Sequence, residues 1–379
     1  MPCQSWDIFC TVIDNFGDAG VCWRLARQLA GEYGFEVRLW IDQPAVLARL
    51  VPAVRAEVPE QRVAGVDVRH WPEPFPAVRP HQVVIEAFAC HLPESFVAAM
   101  ARCTPPPLWI NLEYLSAEDW VPRHHALTSP HPRLPLVKHF FFPGFGPHTG
   151  GLLREAGLLE RRAAFQADPA AEAAFWQALG VPPREAGERR ISLFAYENAA
   201  VAELLDVWRR GPHPVRCLVP EGRLLPQVAA ALGEPLAPGR TLCRDHLTLH
   251  VLPFLPQDEY DRLLWACDFN FVRGEDSFVR AQWAARPFAW HIYPQDDEVH
   301  WWKLNAFLAV YVAGLAPAAA AALTALWQAW NRQTGAAGAW QACLAHEASL
   351  LGHAQYWAGH LGRQPSLAQR LLQFCENRL

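Results

Sequence analysis

The chain alternates short apolar runs with longer amphipathic segments. Residues 6–12, WDIFCTV, form a compact β-rich run of the kind that fills a strand buried on both faces. A loop over 13–20 containing Gly17 and Gly20 follows, then an amphipathic stretch over 21–30 that predicts a helix. A second apolar run over 34–41 ends at Asp42. Strand, glycine loop, helix and strand make a βαβ unit, which calls for a parallel sheet. Runs at 66–71, 82–88 and 108–115 continue the series, with a helix-like stretch over 92–102. Residues 140–145 read as the start of a glycine-containing loop, and 154–180 as a helical stretch rich in Ala, Glu and Arg. Segment 182–188, PPREAGE, is polar and rich in breakers, and is the best linker in the chain.

After the linker the pattern restarts. Strands are predicted at 190–196, 214–220, 247–254, 267–272 and 287–293, with helices over 199–209 and 258–266. The tail, 366–379, is an amphipathic helix suited to cross back to the first series. The expected architecture is α/β, with two Rossmann-like domains facing across a ligand cleft. The first covers 1–182, joined by a helix at about 362–379, and the second covers 189–361. This is the GT-B glycosyltransferase plan, which from topology alone is an analogy of fold.

Composition narrows the function. The 379 residues suit two domains or three, and 51% hydrophobic content is ample for their cores. With 19% charged residues and a formal net charge of −5, the chain lacks the basic face that nucleic acid requires. No apolar run approaches the length needed to span a membrane. None of the ten cysteines shows C-x-x-C spacing, so no zinc site is expected. Most sit in apolar runs and no signal peptide is evident, so they read as reduced thiols of a cytoplasmic protein. Seventeen tryptophans fit a sugar-facing cleft or an interface, and fit generous use of Trp in cores equally well.

Two stretches carry candidate chemistry. In FNFVRGEDSFVRAQW, 269–283, an apolar run turns at Arg273-Gly274 and offers Glu275, Asp276 and Ser277 before a helical pattern. Asp276 or Ser277 is the predicted N-cap. A helix start after a strand presents backbone N–H groups and positive potential suited to a phosphate. Glu275 and Asp276 suit sugar hydroxyls instead, or a cation beside the phosphates. An ordinary capped helix accounts for the same residues. The second stretch is the loop at the carboxyl end of the first strand, where open α/β sheets place ligands. It holds Asp14 and Asp18, read either as converging acids or as a helix cap and a turn residue. It is not G-x-G-x-x-G, so no dinucleotide fingerprint is present. Glu86, Asn111, Glu113 and Tyr114 stand at predicted strand ends and are placed to line the same edge.

Four segments carry a resemblance to a known family. They are IDNFGDAGVCWRLARQL at 13–29, LFAYEN at 193–198, FLPQDEYDRLLWACDFNFVRGEDSFVRAQWA at 254–284, and PFAWHIYPQDDEVHWWKLNAFL at 287–308. They resemble the protein-arginine rhamnosyltransferases, which modify one arginine of bacterial translation elongation factor P. The likeness runs over essentially the whole chain.

The resemblance implies an inverting GT-B enzyme that needs no metal or other cofactor and uses dTDP-β-L-rhamnose as donor. Asp14 and Asp18 match the family's paired aspartates, with Asp18 as general base, and Glu275 matches an acid required for activity. Phe194, Tyr196, Phe254, Gln257, Arg273, Asp276, Ser277 and Tyr293 match positions around the nucleotide sugar. Asn15, Phe16 and Gly17, between the paired aspartates, complete the expected substrate-binding set. The implied partner is elongation factor P, with no nucleic acid or membrane. The acceptor-binding surface has no equally sharp motif. Two other classes share the plan: a nucleotide-sugar epimerase or small-molecule glycosyltransferase, and an idle protein that binds the factor without turnover. The Asp14/Asp18 loop favours catalysis, since a pure binder does not need it.

Overall fold

The structure is a computed structural model that describes residues 4–13, 16–295 and 297–378. It divides into two compact units, Met1–Ala156 with Arg363–Leu379, and Gly157–Gly362.

The first unit contains, in order, β1 (Ser5–Cys10), α1 (Gly17–Tyr33), β2 (Glu36–Ile41), α2 (Pro44–Leu50), β3 (Glu60–Val63), β4 (Val66–His70), β5 (Val83–Ala87), α3 (Glu94–Met100), β6 (Leu108–Leu112), α4 (Val121–His124), β7 (Thr128–Pro130) and β8 (Val137–Phe141). The strands form one eight-stranded sheet in the order β3-β4-β2-β1-β5-β6-β8-β7. It is parallel except for the two edge strands, β3 and β7. Ile8 of β1 stands opposite Leu39 of β2 and Ile85 of β5. These central strands are buried along almost their whole length, hence their apolar runs. Phe9, Trp40, Val84, Phe96, Met100 and Trp109 form a core against them.

Two readings of this unit change. Helix α1 begins at Gly17, not at 21, because Ala19 and Gly20 are small enough to be buried and the Gly20 N–H already bonds to the Phe16 carbonyl at 2.9 Å. Asp18 therefore lies in the first turn of a helix rather than in a loop. Phe140 and Phe141, read as the start of a loop, end strand β8 and pair with Asn111 and Leu112 of β6.

The second unit runs α5 (Leu158–Ala167), α6 (Pro169–Ala178), β9 (Arg189–Leu193), α7 (Val201–Arg210), β10 (Val215–Pro220), α8 (Leu225–Leu232), β11 (Thr241–Arg244), β12 (Leu247–Leu252), α9 (Gln257–Ala266), β13 (Phe269–Arg273), α10 (Asp276–Trp283), β14 (Phe288–His291), α11 (His300–Val312), α12 (Pro317–Arg332), α13 (Ala336–Leu344) and α14 (Glu347–Gly362). Its six strands lie in the order β11-β12-β10-β9-β13-β14, parallel except for β11 at the edge.

The division falls at Ala156/Gly157, not at 182–189 as expected. The stretch 154–180 is two helices, broken where Asp168 caps α6 by accepting from the N–H groups of Ala170 and Ala171 at 2.9 and 3.2 Å. Phe175, Trp176 and Val181 then join a core with Leu218, Leu252 and Leu263. The polar segment that resembled a linker is tied to the same unit. Arg184 reaches Asp268 at 2.5 Å, and the buried Glu188 carboxylate takes Arg190 at 2.7 Å and Arg216 at 2.8 Å. Burial alone would raise the Glu188 pKa, but the bonds from Arg216 and Arg190 outweigh it and hold the carboxyl below its ordinary range.

The last described helix, α15 (Leu367–Glu376), belongs to the first unit. A capping box of Ser366 and Gln369 starts it, the Leu367 N–H bonds to the Leu152 carbonyl at 2.8 Å, and Phe374 sets its ring edge-on to Phe141. Of the nine described cysteines, six are buried. Among the described residues, no helix is long and apolar enough to cross a membrane.

Trp176 tests the placement of 157–182. It is 2% exposed and lies under the Arg190 guanidinium at 4.5 Å. Trp176→Ala should cost about 3–5 kcal/mol in urea unfolding of the second unit. A loss below ~1 kcal/mol would place this stretch outside the unit's core.

Candidate active site

In each sheet the strand order reverses once. From β1 the chain builds outward through β2 and β4, then returns to lay β5, β6 and β8 on the other side. From β9 it builds through β10 and β12, then returns to lay β13 and β14. Crevices at such reversals, outside the carboxyl ends of the strands, are where open α/β sheets bind ligands. The candidate residues gather at both.

At the first reversal the described centre is Asp18, 2% exposed. The Ile13 N–H donates to its Oδ2 at 2.8 Å, and the Tyr114 hydroxyl donates to its Oδ1 at 3.2 Å. Tyr114 follows β6 and stacks on Phe88, which follows β5, with ring centroids 4.4 Å apart. Phe88, Ala89 and His91 have positive φ, so the backbone leaving β5 is bent sharply where it meets the tyrosine. Asn111 donates to the Glu113 carboxylate and accepts from the Ala89 N–H at 3.2 Å, bracing the same loop. Gly17 opens α1, and Phe16 stands at its N-cap position with the Arg49 guanidinium 5.6 Å from its ring. Asp14 and Asn15 lie outside the described residues. Glu86 does not join the site. It is 1% exposed and engaged with Lys138 at 2.7 Å and with the Trp109 indole at 2.9 Å.

At the second reversal, Arg273 ends β13 and lays its guanidinium over Phe194 at 4.6 Å and Tyr196 at 4.7 Å, both just past β9. Tyr196 meets His291 and Tyr293 edge-on at 5.3 and 5.5 Å. Tyr293, past the end of β14, is the exposed member of the group. Phe254, half-buried, lies on the loop after β12 that leads into Gln257, the first residue of α9.

The start of α10 differs from expectation. Glu275, half-buried, occupies the N-cap position with helical backbone and makes no side-chain cap, and Asp276 and Ser277 already lie in the first turn. Asp276 does not cap because its Oδ2 accepts from Gln257 Nε2 at 3.0 Å. Ser277 does not cap because its hydroxyl turns back to the strand. Its Oγ accepts from the Arg273 N–H at 3.1 Å and donates to the Arg273 carbonyl. Gly274, at φ 62°, makes the intervening bend.

Two side chains not singled out from the sequence complete this cluster. Tyr260, on α9, meets Phe194 edge-on at 5.5 Å, and His291 is 1% exposed beside Tyr196. Both sit inside the long motifs, and one signal was available: Tyr260 lies three residues after Gln257, on the same helical face. Burial pushes the Tyr260 phenol well up, although Ser277 and Arg273 pull the other way. Burial, with the nearby charges of Arg273 and His300, lowers His291 to about 3. Among the described residues, no three of His, Cys, Asp and Glu converge as a metal would need.

The sequence matches the protein family described as "Elongation-Factor P (EF-P) rhamnosyltransferase EarP" over residues 6–376. The chain belongs to this EF-P rhamnosyltransferase family. The protein-arginine rhamnosyltransferase of Pseudomonas aeruginosa is 54% identical over 371 residues, 98% of each chain. That of Pseudomonas putida is 52% identical over 376 residues, 99% of each chain. A solved structure described as the structural basis for EarP-mediated arginine glycosylation of translation elongation factor EF-P matches with a TM-score of 0.72. It is 40% identical and covers 99% of both chains. The two Rossmann-like units of this EF-P rhamnosyltransferase family member are those of a GT-B glycosyltransferase.

His291 gives this family member a pH dependence with a definite sign. Its folded pKa, about 3, lies below the value near 6.5 of an exposed histidine. The unfolded chain therefore binds a proton that the folded chain refuses. Its contribution to stability is complete above pH ~6.5 and is lost toward pH ~3, on the order of 4 kcal/mol in all. His291→Asn, which cannot titrate, should flatten the fall in urea midpoint between pH 6.5 and 4. Parallel curves for the two proteins would contradict this.

Proposed function

We propose that the protein transfers L-rhamnose from dTDP-β-L-rhamnose to one arginine side chain of translation elongation factor P, with inversion at the sugar carbon. On this reading Asp18 is the general base, and the reaction runs in the cytoplasm without a metal. The observation that carries it is the buried Asp18 carboxylate, with one oxygen fixed by the Tyr114 hydroxyl and the other by the Ile13 N–H. On this reading the acceptor arginine lies before that carboxylate.

The chemistry follows from the acceptor. A guanidinium has a pKa above ~12 and is a poor nucleophile while protonated. A carboxylate facing it stays ionised, orients the nitrogen and takes its proton as the new bond forms. In one displacement, the nitrogen bonds to the anomeric carbon, the carbon–oxygen bond to phosphate breaks, and dTDP leaves with the electron pair. Asp18 holds the released proton. Asp14 would hold the same guanidinium or position Asp18, with Asn15, Phe16 and Gly17 as further substrate contacts.

On the donor side, Arg273 and the first N–H groups of α10 supply positive potential for the departing diphosphate, the work a metal does elsewhere. Phe194 and Phe254 offer ring faces to thymine, with Tyr196 and Tyr293 beside them. Gln257, Asp276 and Glu275 carry the polar groups for sugar hydroxyls, and Ser277 secures the turn between them and Arg273.

Two measurements test the reading. Incubated with this protein, dTDP-β-L-rhamnose and excess EDTA, elongation factor P should gain the mass of one deoxyhexose on one arginine. No gain, or a gain only when Mg²⁺ or Mn²⁺ is restored, would overturn it. Asp18→Asn keeps the size and an accepting oxygen but cannot take the proton. It should lower kcat by about 10²–10⁴-fold while leaving calorimetric affinity for dTDP-rhamnose within ~2-fold. Turnover equal to wild type would remove Asp18 from the role of base.

A further inference from the structure

The pairing of β1 with β2 ends where Cys10 stands opposite Ile41. Val12, two residues on, is 8% exposed, and its backbone groups still need partners. Two side chains just past the end of β2 supply them. The Val12 N–H donates to Asp42 Oδ1 at 3.0 Å, and Gln43 Nε2 donates to the Val12 carbonyl at 3.2 Å. Gln43 stands at the N-cap position of α2 yet makes no cap bond there. Its amide serves the loop after β1 instead. At the other end of α2, Arg49 lies 5.6 Å from the Phe16 ring, so this short helix touches the loop on both sides of the paired aspartates' segment.

The Val12 carbonyl and the Ile13 N–H belong to one peptide unit. That unit is planar and trans, so the two groups point in opposite directions. Pinning the oxygen therefore aims the hydrogen, and that hydrogen is bonded to Asp18 Oδ2 at 2.8 Å. A donor on the carbonyl also polarises the amide and strengthens its N–H toward the carboxylate.

We propose that Gln43 is a positioning residue for Asp18 and acts through the Val12–Ile13 peptide. It fixes the direction of the Ile13 N–H, and with it the tilt of the Asp18 carboxylate toward the acceptor nitrogen. Asp42 limits rotation of the same backbone from the other side of Val12. Without Gln43 the peptide turns more freely, and the carboxylate loses the alignment that proton transfer needs. The inference rests on the reading of Asp18 as the general base.

The test is the single-turnover rate of rhamnose transfer to elongation factor P at saturating substrates, for the wild type, Gln43→Met, Asp18→Asn and the double variant. Calorimetric affinity for dTDP-rhamnose is measured alongside. Methionine keeps the length of Gln43 and lacks its donor, and the position is exposed, so the fold should tolerate it. Gln43→Met should lower the rate about 3–10-fold, the worth of one hydrogen bond, and leave the donor Kd within ~2-fold. In the Asp18→Asn background the same change should move the residual rate by less than ~2-fold, because no base is left to aim. A wild-type rate in Gln43→Met, or a loss of donor affinity that matches the loss of rate, would overturn the role of Gln43. Equal losses in both backgrounds, as general damage to the loop would give, would overturn it too. Turnover by Asp18→Asn equal to wild type would instead remove the base on which the inference rests.

Discussion

One serine hydroxyl closes the turn from β13 into α10. By accepting the N–H of Arg273 and donating to its carbonyl, Ser277 ties the last residue of a central strand to the first turn of the helix after it. Much depends on that clasp. It fixes the direction in which Arg273 leaves the strand, and so its position over Phe194 and Tyr196. It also occupies the side chain best suited to cap α10, so the helix starts with no side-chain cap. The local cost of an uncapped start, typically ~1 kcal/mol, purchases backbone donors that an anion can use.

The first unit uses the same logic with different atoms. Helix α1 also begins without a side-chain cap, and the acid in its first turn reaches back to Ile13 rather than forward along the helix. A buried carboxylate is tolerable only where donors meet it, and Asp18 has a backbone amide and a phenol. The phenol comes from the far side of the strand reversal, and its ring is held by Phe88. The carboxylate's orientation is thus set by three strand ends at once, which is how a small polar group is held rigid.

The central strands were legible because parallel strands covered on both faces are rich in apolar residues, and β1, β2, β5, β10 and β13 are mostly apolar. The edge strands β3, β7 and β11 were not. EQRV, TSP and TLCR are short, half solvated and antiparallel, and carry no apolar pattern to detect. The boundary at 156/157 was hidden because PPREAGE has a linker's composition, while its charges find partners only after the sheet forms. At the site, Asp18, Arg273 and Ser277 were named from loops and motifs. What holds them was legible only in part: Tyr114 and Gln257 were placed near the site, but not the bond of Tyr114 to Asp18, 96 residues away, nor that of Gln257 to Asp276, which keeps the acid from capping its own helix.

The return of α15 to the first unit has a consequence for how the protein is made. The β8 strand and the loop at 147–152 wait for a helix that leaves the ribosome only after the whole of the second unit. At ~5–20 residues per second that interval is roughly 10–40 s, long compared with the folding of either sheet. During it, Phe141 and His139 lack the Phe374 ring that packs on them in the folded protein.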